Sequence, residues 1–271
     1  MAVASVVAQS LADWELLVVV DDDGMDLDWL GGIDDSRIRV LHAPAPGGRG
    51  AARQAGLEAA QGEFLAFLDA DDWMLPERLS RQMKLLQADP SLVLVSAGMY
   101  VLDEADRPVG VRRLPASAGA PQSAAANIVD APVLSASSMI RIEVARDATY
   151  DIDFVSGEDA DFLVRSLRGR RYLQAVEPLY CYREYASFSM GGLRRGLAAE
   201  RRRRLKQAAS RLDRAMCRLR WAVKRAVYET AVATRGRAFV LRRRCCSATP
   251  GQLADWRSAK EKVTQRLGTM T

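Results

Sequence analysis

The chain has 271 residues, of which 49% are hydrophobic and 27% charged, with a formal net charge of +5. That length suits one large domain or two ordinary ones, and the composition excludes a disordered, collagen-like or disulfide-stapled chain. No apolar run reaches membrane-spanning length, since the longest, Leu16 to Val20, stops at Asp21. The first residues carry no basic segment ahead of their short apolar stretch, so no secretory signal is expected and the chain is predicted to be cytoplasmic.

Two periodicities alternate along the first two thirds. Glu15 to Val20, Arg37 to Leu41 and Glu63 to Leu68 read as strands, the first and third ending in aspartates. Between the second and third, Gly50 to Ala60 is Ala-rich and in helical register, with Gly62 as a stop. Leu79, Met83 and Leu86 recur at helical spacing after Pro76, and Leu92 to Ser96 reads as a buried strand. Strands separated by helices predict an α/β fold: a parallel or mostly parallel sheet with helices on both faces.

Pro115 to Asp130 is rich in Ala, Ser, Pro and Gly and reads as loop, either a lid over a site or a tolerated insertion. Val133 to Ile142 and Tyr172 to Val176 are extended, whereas Gly157 to Leu167 is helical with acidic residues in its first turn. From Leu193 to Val232 the composition is helix-forming, and Leu205, Leu212, Met216, Leu219 and Val223 supply an apolar stripe to one or two amphipathic helices.

Charge divides the chain unevenly. Residues 190–271 hold 22 Lys and Arg against 5 Asp and Glu, a charge of +17, while the remainder carries −12. An acidic body thus bears a basic C-terminal extension. Three readings of that extension stay open: its stripe packs on the body, lies on an anionic membrane, or binds nucleic acid. Cys181, Cys217, Cys245 and Cys246 fit no metal spacing, and a single histidine, His42, excludes a multi-histidine zinc site.

In open α/β sheets ligands bind beyond the carboxyl ends of strands. Carboxylates stand at two such ends, Asp21-Asp22-Asp23 and Asp69-Ala70-Asp71-Asp72. Crowding like charges is costly unless a cation or donor lies among them, and oxygen ligands without imidazole or thiolate suit Mg²⁺ or Mn²⁺. The plain alternative is a pair of solvated acidic turns.

The ordered set of blocks resembles family two glycosyltransferases of the GT-A fold, over about residues 1–190. The blocks are Ser5 to Asp22, Gly48 to Gly56, Ala60 to Leu79, Gly157 to Arg165 with Glu158-Asp159, and Pro178 to Arg183. The resemblance implies a GT-A domain over residues 1–190, with residues 191–271 as a basic helical extension. It implies inverting transfer from a nucleotide sugar, typically UDP-linked, to a hydroxyl acceptor such as a glycan, a lipid-linked sugar or a metabolite, in bacterial polysaccharide or cell-envelope synthesis.

Residue roles follow from the same resemblance. Asp21 or Asp22 contacts the donor base, Arg53 lies near the nucleotide, and Asp69 lies against ribose or sugar. Asp71 coordinates a divalent cation (Mn²⁺ or Mg²⁺) with Asp72 in support, and Asp159 is the general base with Glu158 beside it. Gln54 stands where the family has Asn, and Tyr185 where many relatives have a histidine. The family's opening strand and its loop, which would precede the helix near Ala2, have no counterpart in the chain. That implies two open sheet edges and an incomplete donor wall, from translation starting upstream of Met1 or from a shortened form. A non-catalytic nucleotide-sugar-binding remnant or interaction protein therefore stands as the alternative to an enzyme.

Overall fold

The computed structural model describes residues 1–21, 33–44, 47–152, 154, 156–208 and 210–270, apart from the side chains of residues 186, 187, 207 and 270. Helix α1 (Ala2–Val7) leads into strand β1 (Leu16–Val20), which pairs in parallel with β2 (Ile38–His42), Leu16 opposite Ile38 and Val20 opposite His42. Helix α2 (Arg49–Ala59) packs on β1, close enough that a Cβ on Gly56 would sit 3.2 Å from Val19 Cγ2. The short strands β3 (Phe64–Ala66) and β4 (Trp73–Met74) bracket the second aspartate cluster, and α3 (Arg78–Ala88) follows.

The second sheet is built around β5 (Leu92–Leu102), which is buried over nearly its whole length. Then come β6 (Pro108–Arg112), β7 (Pro121–Ser123), β8 (Ser138–Arg141), α4 (Ile142–Ala148), α5 (Glu158–Leu167) and β9 (Arg171–Tyr182). β9 runs parallel to β5 along most of its length, so antiparallel β8 and β6 share the other edge in succession. β3 pairs antiparallel with β8, while β4 and β7 pair antiparallel with β9.

The sheet is therefore mixed rather than mostly parallel; among the described pairs only β1–β2 and β5–β9 are parallel. Chain length explains part of this. Residues 103–107 between β5 and β6 are too few for a parallel crossover, and Asp103 closes them as a turn by accepting from the N–H groups of Ala105 and Arg107. Among the described residues β1 pairs only with β2 and β3 only with β8, so the two ladders are separate.

Period-two alternation sends successive side chains to opposite faces and places helices on both. Leu94, Ile140 and Tyr172 join Leu57, Ala145, Phe162 and Leu163 of α2, α4 and α5. Their neighbours Val95, Met139 and Leu173 meet Val6 of α1 and Leu79 and Leu86 of α3 on the other side.

The C-terminal region comprises α6 (Glu184–Ser187), α7 (Met190–Gln207), α8 (Arg211–Arg242), β10 (Cys245–Cys246) and α9 (Pro250–Met270). Ser189 caps α7 by accepting from Gly192 N–H, and Ser210 with Asp213 forms a capping box on α8. α8 breaks at Gly236, whose φ of 76° is left-handed. Contacts of Arg194 with Glu229 and of Glu200 with Lys224 run in opposite senses, so α7 and α8 form an antiparallel pair. α9 returns to the body and buries Trp256, Ala259 and Val263 against Trp73 and Ala4. Among the described residues no helix is long and apolar enough to cross a membrane.

Candidate active site

The site is assembled from four chain segments. α2 supplies Arg53, the loop after β3 supplies Asp69, Asp71 and Asp72, the start of α5 supplies Glu158 and Asp159, and β9 supplies Tyr180. Arg53 is the hinge between the two acidic motifs. Its Nη2 lies 3.1 Å from Asp69 Oδ1 and its Nη1 lies 3.1 Å from Glu158 Oε1. Burial disfavours the charged guanidinium, but Asp159, Asp69 and Glu158 more than offset this and leave its pKa raised.

Glu158 is almost fully buried at 1% exposure. Its Oε1 also faces Arg49 Nε at 3.5 Å, while its Oε2 has no hydrogen-bond partner among the described residues. Gly157 makes this helix start possible: it is left-handed at φ 79°, and a Cβ there would come within 3.0 Å of Ala199 Cβ. Asp159 is half-buried and shares a cavity of about 20 Å³ with Arg53, Asp69, Tyr150 and Phe162. Tyr150 stacks on Phe162 at 4.2 Å and forms one wall. Gln54 has a separate task, accepting from the Tyr150 backbone N–H at 2.8 Å and so tying α2 to that wall.

The aspartates of the second cluster divide by environment. Asp69 is raised in pKa by burial, with Asp71 and Asp159 adding to the effect and Arg53 opposing it. Asp71 is exposed. Asp72 is only 1% exposed, and both of its oxygens are engaged: Arg183 N–H donates to Oδ1 and the Tyr180 hydroxyl to Oδ2, each at 2.8 Å. Burial pushes Asp72 up to about 7 despite those two bonds, with Asp71 and Asp69 reinforcing the shift.

Two residues of this site carry no role in the sequence reading. Tyr180 accepts from Asp69 N–H while donating to Asp72, so one hydroxyl pins both ends of the acidic loop. Arg78, fully buried, donates to Phe67 O at 2.8 Å, Ser138 O at 3.2 Å and Gln82 Oε1 at 3.0 Å, and burial lowers it to about 10. It fixes the chain immediately before the aspartates.

Arg53, Asp69, Glu158 and Asp159 are thus brought together, with Asp71 and Asp72 on the same loop. Asp21 ends β1 exposed, beside the turn into α2, where a Cβ on Gly47 would lie 2.9 Å from Asp21 O. Asp22 lies outside the described residues. Among the described residues no three His, Cys, Asp or Glu side chains cluster as a ready metal cage. Exposed Asp71 with neighbouring Asp69 still offers the hard oxygen donors that suit Mg²⁺ or Mn²⁺, which use one or two carboxylates and complete their shells with substrate phosphates.

Comparison with known proteins decides the family. The profile of glycosyl transferase family 2 matches residues 2–146, more than half of the chain. The chain belongs to glycosyl transferase family 2. Over 87 residues it is 38% identical to an Escherichia coli protein, UDP-Glc:alpha-D-GlcNAc-diphosphoundecaprenol beta-1,3-glucosyltransferase WfgD, covering 31% of this chain and 34% of that one. Over 96 residues it is 36% identical to the succinoglycan biosynthesis protein ExoO of Rhizobium meliloti (strain 1021), covering 35% of this chain and 27% of that one. The matched stretches therefore span about a third or less of these relatives. The crystal structure of S. aureus TarS 1–349 aligns with a TM-score of 0.55 at 16% identity, over 98% of this chain and 75% of that one, a likeness of fold. The family 2 fold is the α/β GT-A architecture, here with a C-terminal helical region.

Proposed function

We propose that the chain transfers a sugar from a nucleotide-sugar donor, UDP-linked, to a hydroxyl acceptor with inversion at the anomeric carbon and with the help of a divalent cation. The observation that carries this reading is Arg53, which joins Asp69 of one acidic motif to Glu158 of the other, beside Asp159. A guanidinium held between carboxylates can turn to a diphosphate, the other partner its planar fork fits.

Asp21 or Asp22 would bind the donor base, and Asp69 the ribose or sugar. Asp71, with Asp69 near it, would hold Mn²⁺ or Mg²⁺, which when bound neutralises charge growing on the leaving diphosphate. Asp72 would serve that site by fixing the loop through Tyr180 and Arg183 rather than by direct ligation, since both its oxygens are engaged. As the acceptor oxygen attacks from the opposite face, Asp159 would take its proton. Glu158, paired with Arg53 and Arg49, would hold the cation that orients the donor.

The name of the E. coli relative specifies a lipid-linked diphospho-sugar acceptor. A lipid-linked sugar or growing glycan of the cell envelope is proposed as the acceptor class here. Such acceptors reside at a membrane surface, which the basic extension would meet from the cytoplasmic side.

The test is release of nucleoside diphosphate from UDP-sugars in the presence of Mn²⁺ and a lipid-linked acceptor, by the wild-type chain and by Asp159→Asn. Turnover lost in the folded variant supports the reading; undiminished turnover overturns it. Metal-dependent UDP binding without turnover on any donor would instead select nucleotide-sugar binding without transfer.

A further inference from the structure

α8 carries an apolar stripe that nothing in the fold covers. Leu212, Met216, Leu219, Val223 and Val227 recur at spacings of four, three, four and four and are 69%, 44%, 65%, 55% and 60% exposed. At 100° per residue they occupy one narrow sector of the helix. The opposite sector faces α7: Trp221 lies under the Arg201 guanidinium at 4.3 Å, Glu229 pairs with Arg194, and Cys217 reaches Arg201 O. The stripe therefore points away from its partner helix and does not pack on the acidic body.

The helix that carries it is cationic. Between Arg211 and Tyr228 there are six basic residues and one acidic. Arg220 borders the stripe on one side, whereas Ala215, Ala222 and Ala226 border it on the other, with Arg211 and Arg218 beyond them. Among the described residues Arg211, Arg214, Arg218 and Arg220 form no ion pair, although the body is rich in carboxylates. Arg220 and Lys224 also rim a cleft of about 590 Å³ between α7 and α8, lined as well by Met216, Arg201, Arg204, Asp213 and Glu200, the last paired with Lys224 and Arg204. The indole Nε1–H of Trp221 in that cleft is buried without an acceptor.

We propose that this face of α8 docks on an anionic lipid bilayer, the stripe entering the acyl boundary and the flanking guanidiniums meeting lipid phosphates. Charge selects this occupant. A second copy of the chain would bring one set of unpaired arginines against another, whereas an anionic bilayer supplies the missing counter-charge along the whole face. The inference deepens the membrane part of the proposed function and rests on it for its setting. Vesicle binding needs neither donor nor turnover, so the two fail separately.

The experiment is co-sedimentation of the full chain with vesicles of equimolar phosphatidylglycerol and phosphatidylcholine, and with phosphatidylcholine alone. The wild-type chain should pellet with the anionic vesicles and stay in the supernatant with the neutral ones. The double variant Leu219→Glu, Val223→Glu replaces exposed side chains and should keep its circular dichroism and UDP binding while losing about tenfold or more in vesicle partitioning. Arg211→Gln with Arg220→Gln should weaken it by about tenfold, and high salt should act in the same direction. No binding at low salt, or equal binding by the Glu variant, overturns the proposal. So does a wild-type dimer in sedimentation equilibrium that the Glu variant converts to monomer, which would make the face a self-interface.

Discussion

Tyr180 donates its hydroxyl to Asp72 Oδ2 at 2.8 Å, from the strand that closes the sheet to the loop that carries the acidic cluster. The same oxygen accepts from Asp69 N–H at 3.1 Å. Removing it in Tyr180→Phe leaves a buried carboxylate oxygen and a partly buried N–H unsatisfied. Stability should fall by about 2 kcal/mol, read by urea unfolding, and nucleotide affinity should fall with it because Asp69 loses its anchor. Unchanged affinity would separate the loop's position from binding.

Asp72 makes stability depend on pH in an unusual direction. Its folded value of about 7 lies above the ordinary 3.8, so the folded state binds the extra proton between those limits. The stabilisation is complete below about pH 4 and is lost as pH rises through about 7. Asp72→Asn should flatten that part of the stability profile, measured by urea midpoints across the window. A profile as steep as that of the wild type would assign the proton elsewhere.

Arg53 and Glu158 form a coupled pair. Arg53→Met strands a carboxylate that is 2% exposed in its side chain with only Arg49 nearby, and should destabilise by about 3 kcal/mol. Adding Glu158→Gln removes the stranded charge and should recover part of the loss, so the double-mutant cycle should show coupling of about 1 kcal/mol or more. Additive losses would mean that the pair is not coupled in the folded state.

Gly157 is held at φ 79° with 3.0 Å of room for a Cβ. Gly157→Ala should destabilise by about 1 to 2 kcal/mol and displace Asp159, lowering turnover more than substrate affinity. Adding Ala199→Gly opens the space but leaves the left-handed backbone, so recovery should be partial. Thermal melts of the three variants distinguish the steric and conformational parts.

Local signals made much of this legible. Leu16 to Val20, the Ala-rich α2 and the helix after Pro76 follow from periodicity and stop residues, and their observed bounds differ by a residue or two. The gathering of Arg53, Asp69, Glu158 and Asp159 was legible only through the order of whole blocks, since no spacing along the chain brings α2 against α5. β6 was not read, and Val133 to Ile142, which contains β8, was read as extended without a direction, because local composition says nothing of which way a strand runs. Arg78 escaped for a physical reason: a buried guanidinium satisfied mainly by backbone carbonyls leaves no pairing pattern in the side-chain sequence. α9 hid in the basic extension, its contacts with Trp73 and Ala4 being set by tertiary packing.

The proposed donor site stands on Asp71 as the metal-binding carboxylate, two residues from the Asp69 that Arg53 holds. It is tested most directly by calorimetric titration of UDP into the chain with and without Mn²⁺, repeated on Asp71→Asn. The expected result is saturable binding by the wild type that strengthens about tenfold or more with Mn²⁺, and loss of that metal enhancement in the folded variant. Binding that ignores the metal, or an undiminished Mn²⁺ effect in Asp71→Asn, would contradict it.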